Sequence, residues 1–148
     1  MGATFDPPPW LAIRDDLYKR VLNRQAVALT KSLRKCGRAL QVKQAMDAIH
    51  AAYHRCDGLD PYDGSPLQGE LLAELLPGVS RLLGADHQER WDRLPTVGQI
   101  PGEPGIEVEI VSRRTWMAKG ERTAEAYLAH CRAVVAWLES ANCAGRRQ

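Results

Sequence analysis

Two histidines and an aspartate have the spacing in this chain that could support metal chemistry. His50 and His54 are four residues apart in a predicted helix, so their side chains share one helix face. Asp63 follows in a turn-rich segment, and its carboxylate could complete a site for a divalent ion such as Mg²⁺ or Mn²⁺. The alternative is that one histidine is exposed while the other forms a hydrogen bond with the turn.

The cysteines do not indicate a zinc site. Cys36, Cys56, Cys131 and Cys143 include no C-x-x-C pair, the close spacing that is typical of zinc ligands. The first residues lack the basic and apolar segments of a secretory signal, and no apolar run is long enough to span a bilayer. We therefore expect a cytoplasmic protein without disulfides or a membrane partner, in which Cys131 and Cys36 are small buried residues.

Positive charge is concentrated towards the two ends of the chain. The net charge is +2, but residues 1–55 carry +6, residues 56–110 carry −8 and residues 111–148 carry +4. Two basic clusters could contact phosphates. The first comprises Arg113, Arg114, Lys119 and Arg122, and the second comprises Lys31, Arg34, Lys35 and Arg38. The alternative is that these charges solvate helix faces and pair with the acidic middle of the chain.

The N-terminal third is predicted to form two helices. Apolar residues recur at helical spacing from about Trp10 to Lys35, and Gly37 is a natural end for that helix. A second helix is predicted from about Arg38 to Arg55, and we expect the two helices to pack antiparallel. The apolar face of the second helix comprises Val42, Met46, Ile49 and Tyr53.

The rest of the chain is predicted to contain turns, short helices, a β-hairpin and a closing helix. Asp-Gly, Asp-Pro and Ser-Pro pairs mark turns in residues 56–67, and helices are predicted at 67–76 and 79–83. Strands at 96–100 and 106–112 flank a Pro/Gly-rich turn, and the last helix begins near Thr123 as its N-cap.

These elements predict an α+β fold that is mostly helical, in a single domain over residues 1–148. Its parts are a helical hairpin in 1–55, a turn-rich loop with short helices in 56–95, and a ββα-like unit in 96–142.

Three segments occur in an order that resembles the HNH endonuclease group with a ββα-metal core. They are "DPYDGSPL" (60–67), "LPTVGQI" (94–100) and "RRTWMAKGERTAEAYLAHCRAVV" (113–135), and the resemblance covers roughly residues 45–140. It implies a divalent metal between the hairpin and the helix. It also implies a histidine on the first strand that takes a proton from the attacking water, and an asparagine before the closing helix.

The chain departs from this pattern at the positions that carry the chemistry. Gly98 and Gln99 occupy the places of the family's aspartate and histidine, and Trp116 occupies the place of the asparagine. The glutamine amide does not accept a proton near neutral pH, and glycine supplies no side-chain ligand. Loss of a general base alone typically costs ~10²–10⁴ in rate, so the resemblance implies no useful nuclease activity.

The tryptophans are assigned to packing. We expect Trp116 to fill the space that the metal site has vacated, and Trp10, Trp91 and Trp137 to lie in the core or between helices. The alternative for Trp116 is that its ring stacks on a base or on a partner's surface, beside the arginines that precede it.

The sequence therefore predicts a catalytically inactive HNH-like domain that binds DNA, RNA or a protein through its basic clusters, without a cofactor. One alternative is a metal-dependent endonuclease with relocated ligands at His50, His54 and Asp63. Another is a protein-interaction module with a regulatory role, in which the basic residues only solvate helices.

Overall fold

The computed structural model describes residues 4–75, 88–100 and 107–140. The chain forms two compact units, Met1–Ala118 and Lys119–Gln148, and a single domain over 1–148 stays a prediction. The elements are a 3₁₀ turn Pro9–Leu11, α1 (Asp15–Lys35), α2 (Val42–Cys56), α3 (Glu70–Leu75), α4 (Gln88–Trp91), β1 (Pro95–Gln99), β2 (Val108–Ser112), α5 (Arg113–Lys119) and α6 (Ala124–Glu139). The predicted α+β class, mostly helical, is confirmed.

The helices α1 and α2 pack antiparallel, as predicted. Tyr18 near the start of α1 contacts two residues near the end of α2. Its ring meets Tyr53 edge-on at a centroid distance of 5.8 Å, and its hydroxyl lies 2.7 Å from Nδ1 of His50. Since the start of one helix meets the end of the other, the two run in opposite directions.

Both helices begin later than the sequence predicts. Trp10 lies in the 3₁₀ turn, and Ala12 then takes a left-handed conformation with φ 49°, so the chain enters α1 only at Asp15. The Trp10 indole N–H instead donates to the Tyr53 carbonyl at 3.0 Å. The N-terminus of α2 is fixed by a reciprocal capping box between Gln41 and Gln44.

The core of the first unit joins the helical hairpin to the β-hairpin. Leu22 of α1, Ile49 of α2 and Ile110 of β2 are fully or almost fully buried in one apolar cluster, and so is Trp91. Removal of these apolar surfaces from water is the main favourable contribution to folding. The predicted core positions of Trp91 and of Trp10, which packs against the cluster, are confirmed.

The strands β1 and β2 form an antiparallel hairpin in which Gly98 is opposite Glu109 and Val97 is opposite Ile110. Val108 and Ile110 are buried while Glu109 between them is half-buried, as the alternating pattern predicts. The predicted turn at 101–105 and the predicted helix at 79–83 lie outside the described residues.

The second unit contains α6, which begins as predicted. The Thr123 side chain caps it by accepting the Ala126 N–H at 3.1 Å. No residue of α6 is buried, and Trp137 is 51% exposed, so its assignment to the core is wrong. Cys36 is exposed where α1 ends, which contradicts its predicted burial, and Cys131 is only partly buried. Among the described helices, none is long and apolar enough to cross a membrane.

Candidate nucleic-acid interface

A buried carboxylate organises the loop that leads to the β-hairpin. Asp60 is 1% exposed, and its Oδ1 accepts the backbone N–H groups of Tyr62 at 2.7 Å and Asp63 at 3.2 Å. Its Oδ2 accepts the N–H of Ser112, the last residue of β2, at 2.7 Å. One side chain therefore ties the loop of residues 59–66, here called the Asp60 loop, to the point where β2 ends.

Ser112 also starts α5. Its Oγ accepts the Thr115 N–H at 3.1 Å, which is the N-cap interaction of a helix that follows the strand directly. Sequence reasoning missed α5, although Ser112 was an available N-cap signal. Trp116 lies on α5 and is 48% exposed, so the prediction that it fills a buried space is wrong. Its position leaves the ring open to a partner.

The space beside Gly98 is occupied by Glu109 from the opposite strand. A Cβ atom at position 98 would lie only 3.3 Å from Cγ of Glu109. The Tyr62 hydroxyl donates to both carboxylate oxygens of Glu109, at 2.8 and 3.1 Å. The Asp60 loop therefore holds a carboxylate against the strand position where the resemblance implies a metal ligand.

The residues around Gly98 on the β-hairpin do not fit a divalent metal ion. Gly98 has no donor, and the Gln99 amide donates to Oγ of Ser32 on α1 at 3.1 Å. Glu109 alone is too few ligands, since Mg²⁺ and Mn²⁺ sites combine several oxygen donors. Within residues 4–75, 88–100 and 107–140, no group of three or more His, Cys, Asp or Glu side chains is placed to hold a metal.

The alternative metal ligands, His50, His54 and Asp63, are also not assembled into a site. The rings of His50 and His54 meet edge-on at 4.6 Å, but Nε2 of His54 lies 3.0 Å from the Asp6 carbonyl. Burial, with the charge of His54, lowers the pKa of His50 below its ordinary value and favours its neutral form. Asp63 is engaged elsewhere, by Ser65 and Arg114.

The first basic cluster is only partly available to a ligand. Arg114 forms an ion pair with Asp63 at 2.7 Å, and hydrogen bonds from Ser65 and Arg114 hold the pKa of that carboxyl below its usual range. Arg113 is half-buried. Lys119 is buried, and the Arg122 guanidinium donates to the Lys119 carbonyl at 3.2 Å. The cluster is therefore divided between the two units and partly neutralised.

The exposed side of α1 carries a larger array of cations. Arg20, Arg24, Lys31, Arg34 and Lys35 are all exposed, and at 100° per residue they lie on one side of the helix. We call these five residues the α1 stripe. Residues 17–46 contain eight Lys or Arg residues and no Asp or Glu. Within the described part of the chain, Arg20, Lys31, Arg34 and Lys35 form no ion pair.

Sequence reasoning found only part of this array. It assigned Lys31, Arg34 and Lys35 to the second cluster but missed Arg20 and Arg24, for which the acid-free run of residues 17–46 was the available signal. Arg38 follows α1 and is exposed. A shallow hollow of about 330 Å³ lies at the N-terminal half of the stripe, lined by Lys19, Arg20, Asn23 and Arg24.

The β-hairpin lies beside the α1 stripe. The hydrogen bond from Gln99 to Ser32 joins the end of β1 to the helix segment between Lys31 and Lys35. The position that the resemblance assigns to the catalytic base is therefore occupied by a glutamine that fastens the hairpin to the basic helix.

Comparison of the chain with models of known families, with curated proteins and with solved structures finds no match. The resemblance to HNH endonucleases therefore stays a prediction.

Replacement of Gly98 by aspartate, the residue that the resemblance would restore, is expected to destabilise the hairpin by about 1–3 kcal/mol. The new side chain would crowd Glu109, and two carboxylates directly opposite each other repel. Urea unfolding of Gly98→Asp, Glu109→Gln and the double variant measures the coupling. We expect the cost of Gly98→Asp to fall in the Glu109→Gln background. Gln99→Asp is the control: it loses the hydrogen bond to Ser32 and so has a cost of its own, but that cost should be the same with and without Glu109→Gln. Strictly additive costs of Gly98→Asp and Glu109→Gln would contradict the contact.

Proposed function

We propose that this chain is a non-catalytic nucleic-acid-binding module on an HNH-like ββα framework. In this proposal the α1 stripe contacts the phosphate backbone of a duplex. The observation that carries the proposal is the array of exposed cations along one helix, with no acidic residue in the surrounding sequence from 17 to 46.

The dimensions of the α1 stripe suit a duplex backbone. From Arg20 to Lys35 the helix rises roughly 22 Å, at 1.5 Å per residue. Duplex DNA presents on the order of a dozen phosphate charges over that length. The segment 19–35 contains no aromatic residue that could stack on unpaired bases, which favours contact with the backbone of a double strand over capture of a single strand.

The β-hairpin supports a binding role rather than catalysis. Gly98 supplies no ligand, Gln99 supplies no base, and the half-buried Glu109 is held by Tyr62. These residues stabilise the framework that carries α1. Trp116, exposed on α5, offers an aromatic surface that a nucleic acid or a protein could cover.

Binding of the chain to a labelled DNA duplex of arbitrary sequence, measured by fluorescence anisotropy across a salt series, tests the proposal. We expect the logarithm of the binding constant to fall linearly with the logarithm of salt concentration, with a slope of about −3 to −5. Binding that is absent at low salt, or insensitive to salt, would overturn the nucleic-acid assignment.

The same samples incubated with Mg²⁺ or Mn²⁺ test the non-catalytic part of the proposal. We expect the duplex to remain intact. Cleavage by the wild-type chain that His54→Ala abolishes would show that a relocated metal site operates, and the non-catalytic assignment would then be wrong.

A further inference from the structure

The α1 stripe divides into two groups of cations. Arg20 and Arg24 form the first group, and Lys31, Arg34 and Lys35 form the second. The midpoints of the two groups are about 11 residues apart, which is roughly 16 Å along the helix at 1.5 Å per residue. The stripe therefore presents its positive charge at two separate places along α1.

The side of α1 between the two groups is apolar. Val27 and Ala28 lie there at 100° per residue, Ala28 exposed and Val27 half-buried. The polar side chains of the same segment are engaged elsewhere. Gln25 is hydrogen-bonded to the hydroxyl of Tyr53 on α2, and Thr30 is buried and donates to the Val27 carbonyl. The centre of the stripe therefore offers methyl groups and no side-chain donor or acceptor.

This arrangement matches a groove with a phosphate backbone on each rim. The major groove of B-form DNA is about 12 Å wide and admits an α-helix, whereas the minor groove is only about 6 Å wide. The two cation groups are separated by slightly more than the width of the major groove, as contact with the phosphates on both rims requires. A helix seated across this groove places one group on each backbone and its apolar centre over the base edges.

The surface between the two backbones decides which duplex suits the apolar centre. In the major groove of DNA, thymine presents its C5-methyl group, and small apolar side chains such as alanine contact it. In A-form RNA the major groove is too deep and narrow for side chains to read, and the minor groove displays 2′-hydroxyl groups. Val27 and Ala28 would cover those hydroxyls without a hydrogen bond, which is unfavourable.

We propose that α1 sits in the major groove of B-form DNA, where Val27 and Ala28 contact thymine methyl groups. The chain then prefers A·T-rich DNA to the equivalent RNA duplex. This inference rests on the proposed function, because the cations must hold a duplex before the apolar centre can distinguish its bases. The cations supply affinity that does not depend on sequence, and the apolar centre adds the preference.

Fluorescence anisotropy with three A·T-rich duplexes of one sequence tests the proposal. They are DNA, the same DNA with deoxyuridine in place of thymine, and the corresponding RNA. Deoxyuridine lacks the C5-methyl group but keeps every phosphate. We expect the deoxyuridine duplex to bind more weakly by about fourfold for each methyl group that α1 covers. The RNA duplex should bind more weakly than the thymine DNA by about tenfold.

Ala28→Gln tests whether α1 makes the contact. The substitution replaces a methyl group by a longer polar side chain, so the preference for thymine over deoxyuridine should be lost. The salt slope should be unchanged, because no cation is removed. Ala51→Gln is the matched control, since Ala51 is exposed on α2, and it should keep the preference. Circular dichroism checks that both variants keep their helix content.

The outcomes separate this inference from the proposed function. Equal affinity for the thymine and deoxyuridine duplexes overturns the inference alone, because the cations would then bind the backbone without contact to the bases. Binding of RNA as tightly as DNA overturns it as well. A thymine preference that survives Ala28→Gln overturns the assignment of the contact to α1. Absence of binding to all three duplexes at low salt overturns the proposed function, and this inference with it.

Discussion

Asp60→Asn is expected to lower the free energy of unfolding by about 2–4 kcal/mol. The carboxylate accepts three backbone N–H groups through its two oxygens and is almost completely buried. An amide has the same shape but one acceptor oxygen, so its NH₂ group must face either Ser112 or the Asp60 loop. At least one buried donor then loses its partner. Urea unfolding followed by circular dichroism measures the change.

Asp57→Asn is the matched control for this variant. Asp57 is exposed at the end of α2 with φ 51°, a left-handed conformation that asparagine tolerates well. The same carboxylate-to-amide change there should shift the free energy of unfolding by no more than about 0.5 kcal/mol. Equal effects of the two substitutions would mean that general charge, rather than the hydrogen bonds of Asp60, stabilises the loop.

Hydrogen exchange locates the damage. The Ser112 amide donates to Asp60 across 52 residues of sequence, and Ser112 also caps α5. We therefore expect Asp60→Asn to accelerate exchange at Ser112 and in the first turn of α5, while the α1–α2 pair keeps its protection. Uniform loss of protection would contradict a local role.

Sequence patterns predicted the elements whose signals are local. Burial of Ile49 and Tyr53 on α2, the alternation in β2 and the Thr123 cap each depend on residues within a few positions of one another. Val42, which was predicted to lie on the same apolar face of α2, is instead 37% exposed, in the first turn of the helix. The start of α1 was predicted too early because an apolar periodicity continued through Trp10. The left-handed Ala12 interrupts the helix there, and no local residue preference indicates such a conformation for alanine.

The contacts that build the candidate site are long-range, and this is why sequence reasoning could not find them. Gln99 donates to Ser32 across 67 residues, and Tyr62 donates to Glu109 across 47. No spacing rule links such pairs. The loss of ligand and base at Gly98 and Gln99 could be stated from residue type alone, but the occupation of that space by Glu109 could not.

The α1 stripe shows the opposite case, in which the sequence contained the signal and the grouping was incomplete. The second basic cluster was predicted only from cations that are close together in the sequence, so it began at Lys31. Arg20 and Arg24 can be assigned to the helix face that carries Lys31 only when α1 is known to be one continuous helix of 21 residues. The structure therefore extends the basic surface of α1 towards the start of the helix. In the first cluster, Arg114 is paired with Asp63.

Simultaneous substitution of Arg20, Lys31 and Lys35 by glutamine is expected to weaken duplex binding by at least roughly tenfold at low salt. Each cation that contacts a phosphate contributes about one unit to the salt slope, so the triple variant should reduce its magnitude by about 2–3. All three side chains are exposed and form no ion pair with a described residue, so thermal unfolding should be little changed. Fluorescence anisotropy across the salt series gives both the affinity and the slope.

The decisive comparison removes the same charge from the first basic cluster. Arg113→Gln, Arg114→Gln and Arg122→Gln together also subtract three positive charges, but Arg114 is already paired with Asp63 and Arg122 donates to the Lys119 carbonyl. If the duplex lies along α1, this control should keep most of the wild-type salt slope. Equal losses in both variants would mean that net charge alone attracts the duplex. A larger loss in the control would move the interface to α5 and the exposed Trp116, because only contacts made at that surface would then release counterions.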